Sequence, residues 1–274
     1  MEIIYCKTER ALSQTQIELA DYVLNPYRGC QIGCAYCYAR SNKSIGKLKK
    51  SWGEFVFVKE NFIEVLEKEL DGLHKPPRRV LIGSTTEAFQ PVETEHRLTA
   101  QTLAIMKNRN IPVVILTKSS DIGQFAGDLN YSSENRIYIT INSPIIGEKL
   151  EKRSHSYERR LEAAEKLTRA GVKVVLYVSP VIPELTDFRE LFSWAKEKAP
   201  ALYFESYNPK LGQWHEVKGL LNRDDFGVFQ EIYGSESSYQ EYWKAFESEV
   251  REHNKKFGFE LDFFIYPFDS YYNS

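Results

Sequence analysis

The chain has 274 residues, 42% hydrophobic, 27% charged and 14% aromatic, with a formal net charge of -2. This is ordinary globular composition, enough for one large core or two small ones. It excludes several classes: no apolar run reaches the roughly 18 residues of a membrane span, the slightly acidic balance disfavours a general nucleic-acid binder, and four cysteines, three of them clustered, do not form a disulfide framework.

The start, MEIIYCKTER, has no basic stretch leading into an apolar core, so a cytoplasmic protein with reduced thiols is expected. Residues 1–20 read as an N-terminal extension. DYVLNP then reads as a first strand running into a cysteine-rich loop. The run SNKSIGKLKK (41–50) reads as a solvated basic loop, with a phosphate contact as the sharper alternative. Residues 60–73 carry apolar side chains at 62, 63, 66, 70 and 73, which is helical spacing.

RRVLIGS (78–84) reads as the second strand, RLTAQTLAIMKNRN as a helix, and PVVILTKS (112–119) as a strand apolar enough to be buried on both faces. A weak helix, DIGQFAGDLN, precedes the strand NRIYITINS (135–143). Residues 156–171 form a strong helix, with Ser156 placed to cap it and Gly171 to end it. The strand VKVVLYVSP, a helix stopped at Pro200 and the strand ALYFESYNP complete the series. Six strands alternating with helices predict parallel β/α units with right-handed crossovers, that is, an α/β partial barrel over 21–210. The tail, 211–274, holds a long amphipathic helix around 239–257 and a terminal apolar run, and reads as an extension packed on the side or bottom of the barrel.

NPYRGCQIGCAYCYAR places Cys30, Cys34 and Cys37 in a C-x3-C-x2-C spacing. A zinc site wants four ligands, and the five histidines are scattered along the chain, none in this loop. A redox C-x2-C pair would leave Cys30 unexplained, and an electron-transfer ferredoxin would supply four thiolates. Three thiolates suit a [4Fe-4S] cluster with one iron open to a small molecule; closure of a zinc site by Cys6 is the alternative.

This spacing, with Tyr36 before the last cysteine and a β/α series after it, resembles the radical S-adenosylmethionine (SAM) enzymes. Together with FVKEN, QPVE, ILTKS, RSHSYERRLEAAEKLTRAGVKV and PVIPELTD, it resembles their spore photoproduct lyase-like subgroup over about residues 20–210. The resemblance implies a partial (β/α)6 barrel and two cofactors, a [4Fe-4S] cluster and SAM. The open iron would chelate SAM, whose reductive cleavage gives a 5′-deoxyadenosyl radical that abstracts hydrogen from substrate. A low-potential flavodoxin or ferredoxin would supply the electron.

The resemblance makes Cys30, Cys34 and Cys37 the metal ligands. It sets the backbone carbonyl of Tyr36 beside the adenine, Ser84, Thr85 and Thr86 near the SAM amino group, and Lys118 and Ser143 near its carboxylate and ribose. Arg160 takes a carboxylate-pairing position, and Ile182 packs on the adenine. Glu151 and Arg153 form either a local ion pair or part of the site. The lyase that names the subgroup uses a further cysteine downstream of the cluster loop as hydrogen donor, but this chain has no cysteine after Cys37. That absence and the charge balance favour a peptide or small-protein substrate, with a small accessory protein as partner. A nucleic-acid lesion is the alternative, and a non-catalytic metal protein the second. The catalytic hydrogen donor and the role of Cys6 are not assigned.

Overall fold

The computed structural model describes residues 1–219 and 221–268, apart from the side chains of residues 43 and 44. The end of the tail and part of the 41–50 run fall outside these described residues. Two sheets organise the fold. The large one has strand order β11-β10-β9-β8-β7-β6-β3-β2, with β2 Ser13–Gln14, β3 Tyr22–Leu24, β6 Val80–Ile82, β7 Val113–Thr117, β8 Arg136–Thr140, β9 Lys173–Val181, β10 Ala201–Ser206 and β11 Glu260–Phe264. Every pairing from β3 to β11 is parallel, and only the short β2 runs antiparallel, at the edge. The small sheet has order β1-β5-β4, from β1 Glu2–Cys6, β4 Tyr27–Gly29 and β5 Phe55–Lys59.

Side-chain alternation along the parallel strands produces the two faces. Val113 and Ile115 of β7, Ile137 and Ile139 of β8, and Val174 and Leu176 of β9 face the helical layer. Leu81, Val114, Tyr138 and Val175 face the concave interior. Ile115, Ile137 and Ile139 are fully buried, and each contributes roughly 1.5–3 kcal/mol of transfer free energy.

The helices between strands are α2 Phe62–Asp71, α4 Leu98–Asn108, α5 Pro144–Leu150, α6 Tyr157–Arg169 and α7 Phe188–Ala195; the four-residue α1 Lys43–Gly46 and α3 Glu93–His96 are single turns. Helix α6 begins after Ser156, as its sequence predicts, but the Ser156 hydroxyl accepts no capping hydrogen bond. It ends at a left-handed Gly171, with the amide of Val172 returning to the Leu167 carbonyl at 3.1 Å. The weak helix predicted after β7 is two 3-10 turns, Ser120–Phe125 and Leu129–Tyr131. Helix α7 stops well before Pro200, because Lys196 is extended and Glu197 is left-handed.

The tail holds helices and one strand. After α8 Trp214–Lys218, α9 Arg223–Tyr233 and α10 Glu236–Asn254, β11 joins β10 as a further parallel strand. The tail's last strand thus continues the sheet, and its long helix packs outside the barrel against α7. The helix α10 buries Tyr239, Trp243, Phe246 and Val250 against the outer layer. No helix among the described residues is long and apolar enough to cross a membrane.

Candidate active site

The cysteine loop leaves β4 and is fastened on every side by backbone groups. The amide of Gln31 donates to the Gln90 side chain at 2.8 Å, and the Gln31 side chain accepts from the amide of Val92 at 2.6 Å. The QPVE segment is therefore bound to the loop through the backbone and side chain of Gln31. The amide of Ala35 donates to the carbonyl of Leu150, at the end of α5, at 2.8 Å. Gly33 is left-handed (φ 65°) and packs on Gly53, where a β-carbon would lie 2.8 Å from the Gly53 Cα. No larger residue fits that approach.

Cys30, Cys34 and Cys37 line one cavity of about 940 Å³ at the C-terminal ends of the barrel strands, where parallel β/α folds collect their ligands. Burial raises all three thiols, Cys34 the most and Cys37 to about 11. Backbone amides oppose this: those of Glu87, Gly33 and Ile32 donate to Cys30, and that of Ala39 to Cys37.

Among the described residues, no three His, Cys, Asp or Glu side chains converge tightly enough to hold a single metal ion. A cuboidal cluster takes each cysteine on a different iron, so its ligands stand farther apart than those of a mononuclear site. Three thiols on one loop, two buried and one half-buried, amides aimed at Cys30 and Cys37 and an open cavity beside them fit such a cluster.

The loop after β6 closes over this site. Asn25 donates to the Ser84 hydroxyl at 3.1 Å and accepts from the amide of Thr85 at 3.3 Å. Thr86 donates to the Gly29 carbonyl, and Gln90 donates to the Thr86 hydroxyl at 3.0 Å. Ser84, Thr85 and Thr86 all line the cavity with Tyr36 and Lys118. Glu87, which the sequence reading missed, holds the end of β7: it accepts from the Thr117 hydroxyl at 2.6 Å and from the Lys118 amide at 2.7 Å.

A buried ionic network lies behind the loop. The Arg160 guanidinium donates to Glu151 at 2.6 Å, to the Thr140 carbonyl at 3.0 Å and to the His155 carbonyl at 2.8 Å. It also donates to Ser154, while the Tyr36 hydroxyl donates to Glu151. The Arg160 and Glu151 side chains are 3% and 1% exposed. Burial alone would raise the Glu151 carboxyl, but Arg160 and Lys118 outweigh it and hold it low. Burial likewise opposes the Lys118 charge, yet Glu151 and Cys34 raise its ammonium. The ammonium also sits 5.7 Å from the Tyr36 ring centre.

Three of the expected cofactor residues do not line this cavity. Arg160 does not line the cavity, since its donors are taken by the protein's own carboxylate and carbonyls. Strand β8 ends at Thr140, which puts Ser143 at the start of α5, where its hydroxyl accepts from the Asp187 amide at 2.7 Å. Ile182 is fully buried and is absent from the cavity lining. Glu151 and Arg153 do not pair with each other: Glu151 takes Arg160, and Arg153 reaches Glu54 and the Gly53 carbonyl. Arg153 thereby fastens the Gly53 turn against Gly33. The spacing of Glu151 and Arg160 gave no signal, because they meet only when α6 folds back on β8.

A family model described as the radical SAM superfamily matches residues 24–195. An uncharacterised protein of Methanocaldococcus jannaschii is 30% identical over 88% of this chain and 90% of its own length. A spore photoproduct lyase of Clostridium acetobutylicum is 27% identical over 68% of this chain, which spans 54% of that lyase. Among solved structures, a spore photoproduct lyase complexed with dinucleoside spore photoproduct superposes with a TM-score of 0.65 at 17% identity, covering 96% of this chain and 82% of the other. The protein SuiB of Streptococcus suis, bound to its precursor peptide SuiA, superposes at 0.50 and 11% identity, covering 96% of this chain and 48% of SuiB.

Proposed function

This chain belongs to the radical SAM superfamily, in its spore photoproduct lyase-like subgroup, and from that premise we propose that it works on a peptide or small protein within the cavity at the strand ends. Its cofactors are a [4Fe-4S] cluster and SAM. When bound, they supply a 5′-deoxyadenosyl radical, formed by one-electron reductive cleavage of SAM, that removes a hydrogen atom from the substrate.

In this reading Cys30, Cys34 and Cys37 hold the cluster, and the amide donors to Cys30 and Cys37 offset the charge that burial disfavours. Lys118 faces the SAM carboxylate as a point charge, kept protonated by Glu151. Ser84, Thr85 and Tyr36 border the rest of the cofactor. Glu151 and Arg160 act through Tyr36 and Lys118 as positioning residues. A flavodoxin or ferredoxin delivers the electron, and an accessory protein presents the peptide.

The observation that carries the substrate class is the charge of the cavity. Among its described lining residues Lys118 is the one Lys or Arg, against Glu18, Glu87, Glu205 and Asp262. A phosphodiester backbone wants several cations in its path. Similarity to the Clostridium lyase favours a second reading, lesion cleavage in a nucleic acid.

The test is anaerobic incubation of reconstituted enzyme with reductant and SAM, first alone, then with candidate precursor peptides and with a dinucleoside spore photoproduct. 5′-Deoxyadenosine together with a mass change in a peptide supports the reading. Turnover of the photoproduct with no peptide changed replaces it with the second. No 5′-deoxyadenosine under any condition removes both.

A further inference from the structure

The cavity extends beyond the residues assigned to the cofactors. Those come from the cysteine loop and the ends of β6 and β7; the opposite wall comes from β9, β10 and the segment after β11. On that wall Glu205 follows Tyr203 in the alternation of β10 and sits beside Phe264 of β11. Its carboxylate accepts from the Tyr266 hydroxyl at 2.7 Å and from the Ser179 hydroxyl, and the Tyr177 phenol also bonds to it.

Ser179 and Tyr177 belong to β9 and Tyr266 to the segment after β11, so the carboxylate is held from both neighbours of β10. It nevertheless keeps part of its surface open to the cavity. All of its described partners are hydroxyls, whereas Glu151 on the other side is matched by Arg160. Glu205 and Cys37 line this same cavity.

We propose that Glu205 is a substrate-recognition residue that receives a cationic group, an amine or guanidinium, on the molecule from which hydrogen is taken. A fixed carboxylate with open lone pairs in a confined cavity makes charge-assisted hydrogen bonds to such a donor. It repels a phosphate at the same place. The inference rests on the peptide reading above and narrows it to peptides with a basic side chain or free amine near the reacting position.

The probes are N-acetyl-lysine methylamide and N-acetyl-norleucine methylamide, which differ at the ammonium. Each is titrated into the full chain, reconstituted with cluster and loaded with SAM, by ligand-observed NMR. The lysine amide is expected to bind at least tenfold more tightly than the norleucine amide. Glu205→Gln is expected to abolish that preference, and added salt to reduce it in the wild-type protein, which keeps the test open should the variant fold poorly.

Equal binding of the two amides, or an unchanged preference in Glu205→Gln, overturns the inference. So does tighter binding of thymidylyl-thymidine than of the lysine amide. Formation of 5′-deoxyadenosine without any probe separates the outcomes: where it forms and the amides bind equally, the inference falls and the radical SAM reading stands. Where it forms neither alone nor with any candidate substrate, the reading the inference rests on falls with it.

Discussion

Replacing Glu151 with Gln tests the buried network directly. Glutamine keeps the shape and can still accept from Tyr36, but it removes the carboxylate that Arg160 meets at 2.6 Å and that supports the Lys118 charge. The Arg160 side chain is 3% exposed, so water does not compensate. Removing one member of such a pair costs about 3–5 kcal/mol. For a chain of this size that lowers the melting temperature by roughly 10 °C or more.

Arg160→Met costs less, because Glu151 retains Lys118 and Tyr36. The Glu151→Met/Arg160→Met double variant recovers part of the loss, giving a coupling energy of about 2 kcal/mol or more. The assay is urea unfolding of the cluster-free chain. The Glu151 carboxyl is held low, so its contribution is fully present above the ordinary carboxylate value of about 4.3. It is lost as pH falls through the folded value. The gap between wild type and Glu151→Gln therefore closes in acid. A Glu151→Gln protein within about 1 kcal/mol of wild type, or a double variant as unstable as the sum of the singles, refutes the reasoning.

Other expectations follow from the same geometry. Single Cys30→Ala, Cys34→Ala or Cys37→Ala variants lose the iron–sulfur charge-transfer absorbance after reconstitution; retention of full iron and sulfide by any one of them removes it from the ligand set. Burial holds all three thiols protonated at neutral pH, so cluster assembly releases protons and its yield at limiting iron rises between about pH 7 and 9; a flat or falling profile counts against buried ligands.

Gly33→Ala combines a left-handed backbone, costing about 1–2 kcal/mol, with a β-carbon 2.8 Å from Gly53. It is expected to lower cluster content with little change in far-ultraviolet circular dichroism, and normal loading would show that the close approach is dispensable. Lys118→Met is expected to weaken SAM binding about tenfold or more by equilibrium dialysis, and unaltered affinity would place the carboxylate elsewhere.

The local signals in the chain were sufficient for much of this protein. Strand and helix periodicity marked the six core strands, because burial on both faces leaves runs such as VVILT without polar interruption. The cysteine spacing marked the thiols of the site, since one short loop presents all three. The position of Lys118, Ser84, Thr85 and Thr86 on the cavity was also legible, because strand ends in a parallel sheet point to one side.

Contacts that close over long sequence distances were not legible. Nothing local indicates that Arg160 serves Glu151 and carbonyl oxygens, that Gln31 bonds both the Gln90 side chain and the Val92 amide, or that Glu205 gathers hydroxyls from Ser179, Tyr177 and Tyr266. The same applies to β11, whose alternating pattern is compatible with a cap or a strand until β10 offers it an edge. Residue type and period determine which segments are strands and which thiols share a loop. Which buried charge meets which partner is decided by packing in three dimensions, because desolvation leaves each group only the neighbours the fold brings to it.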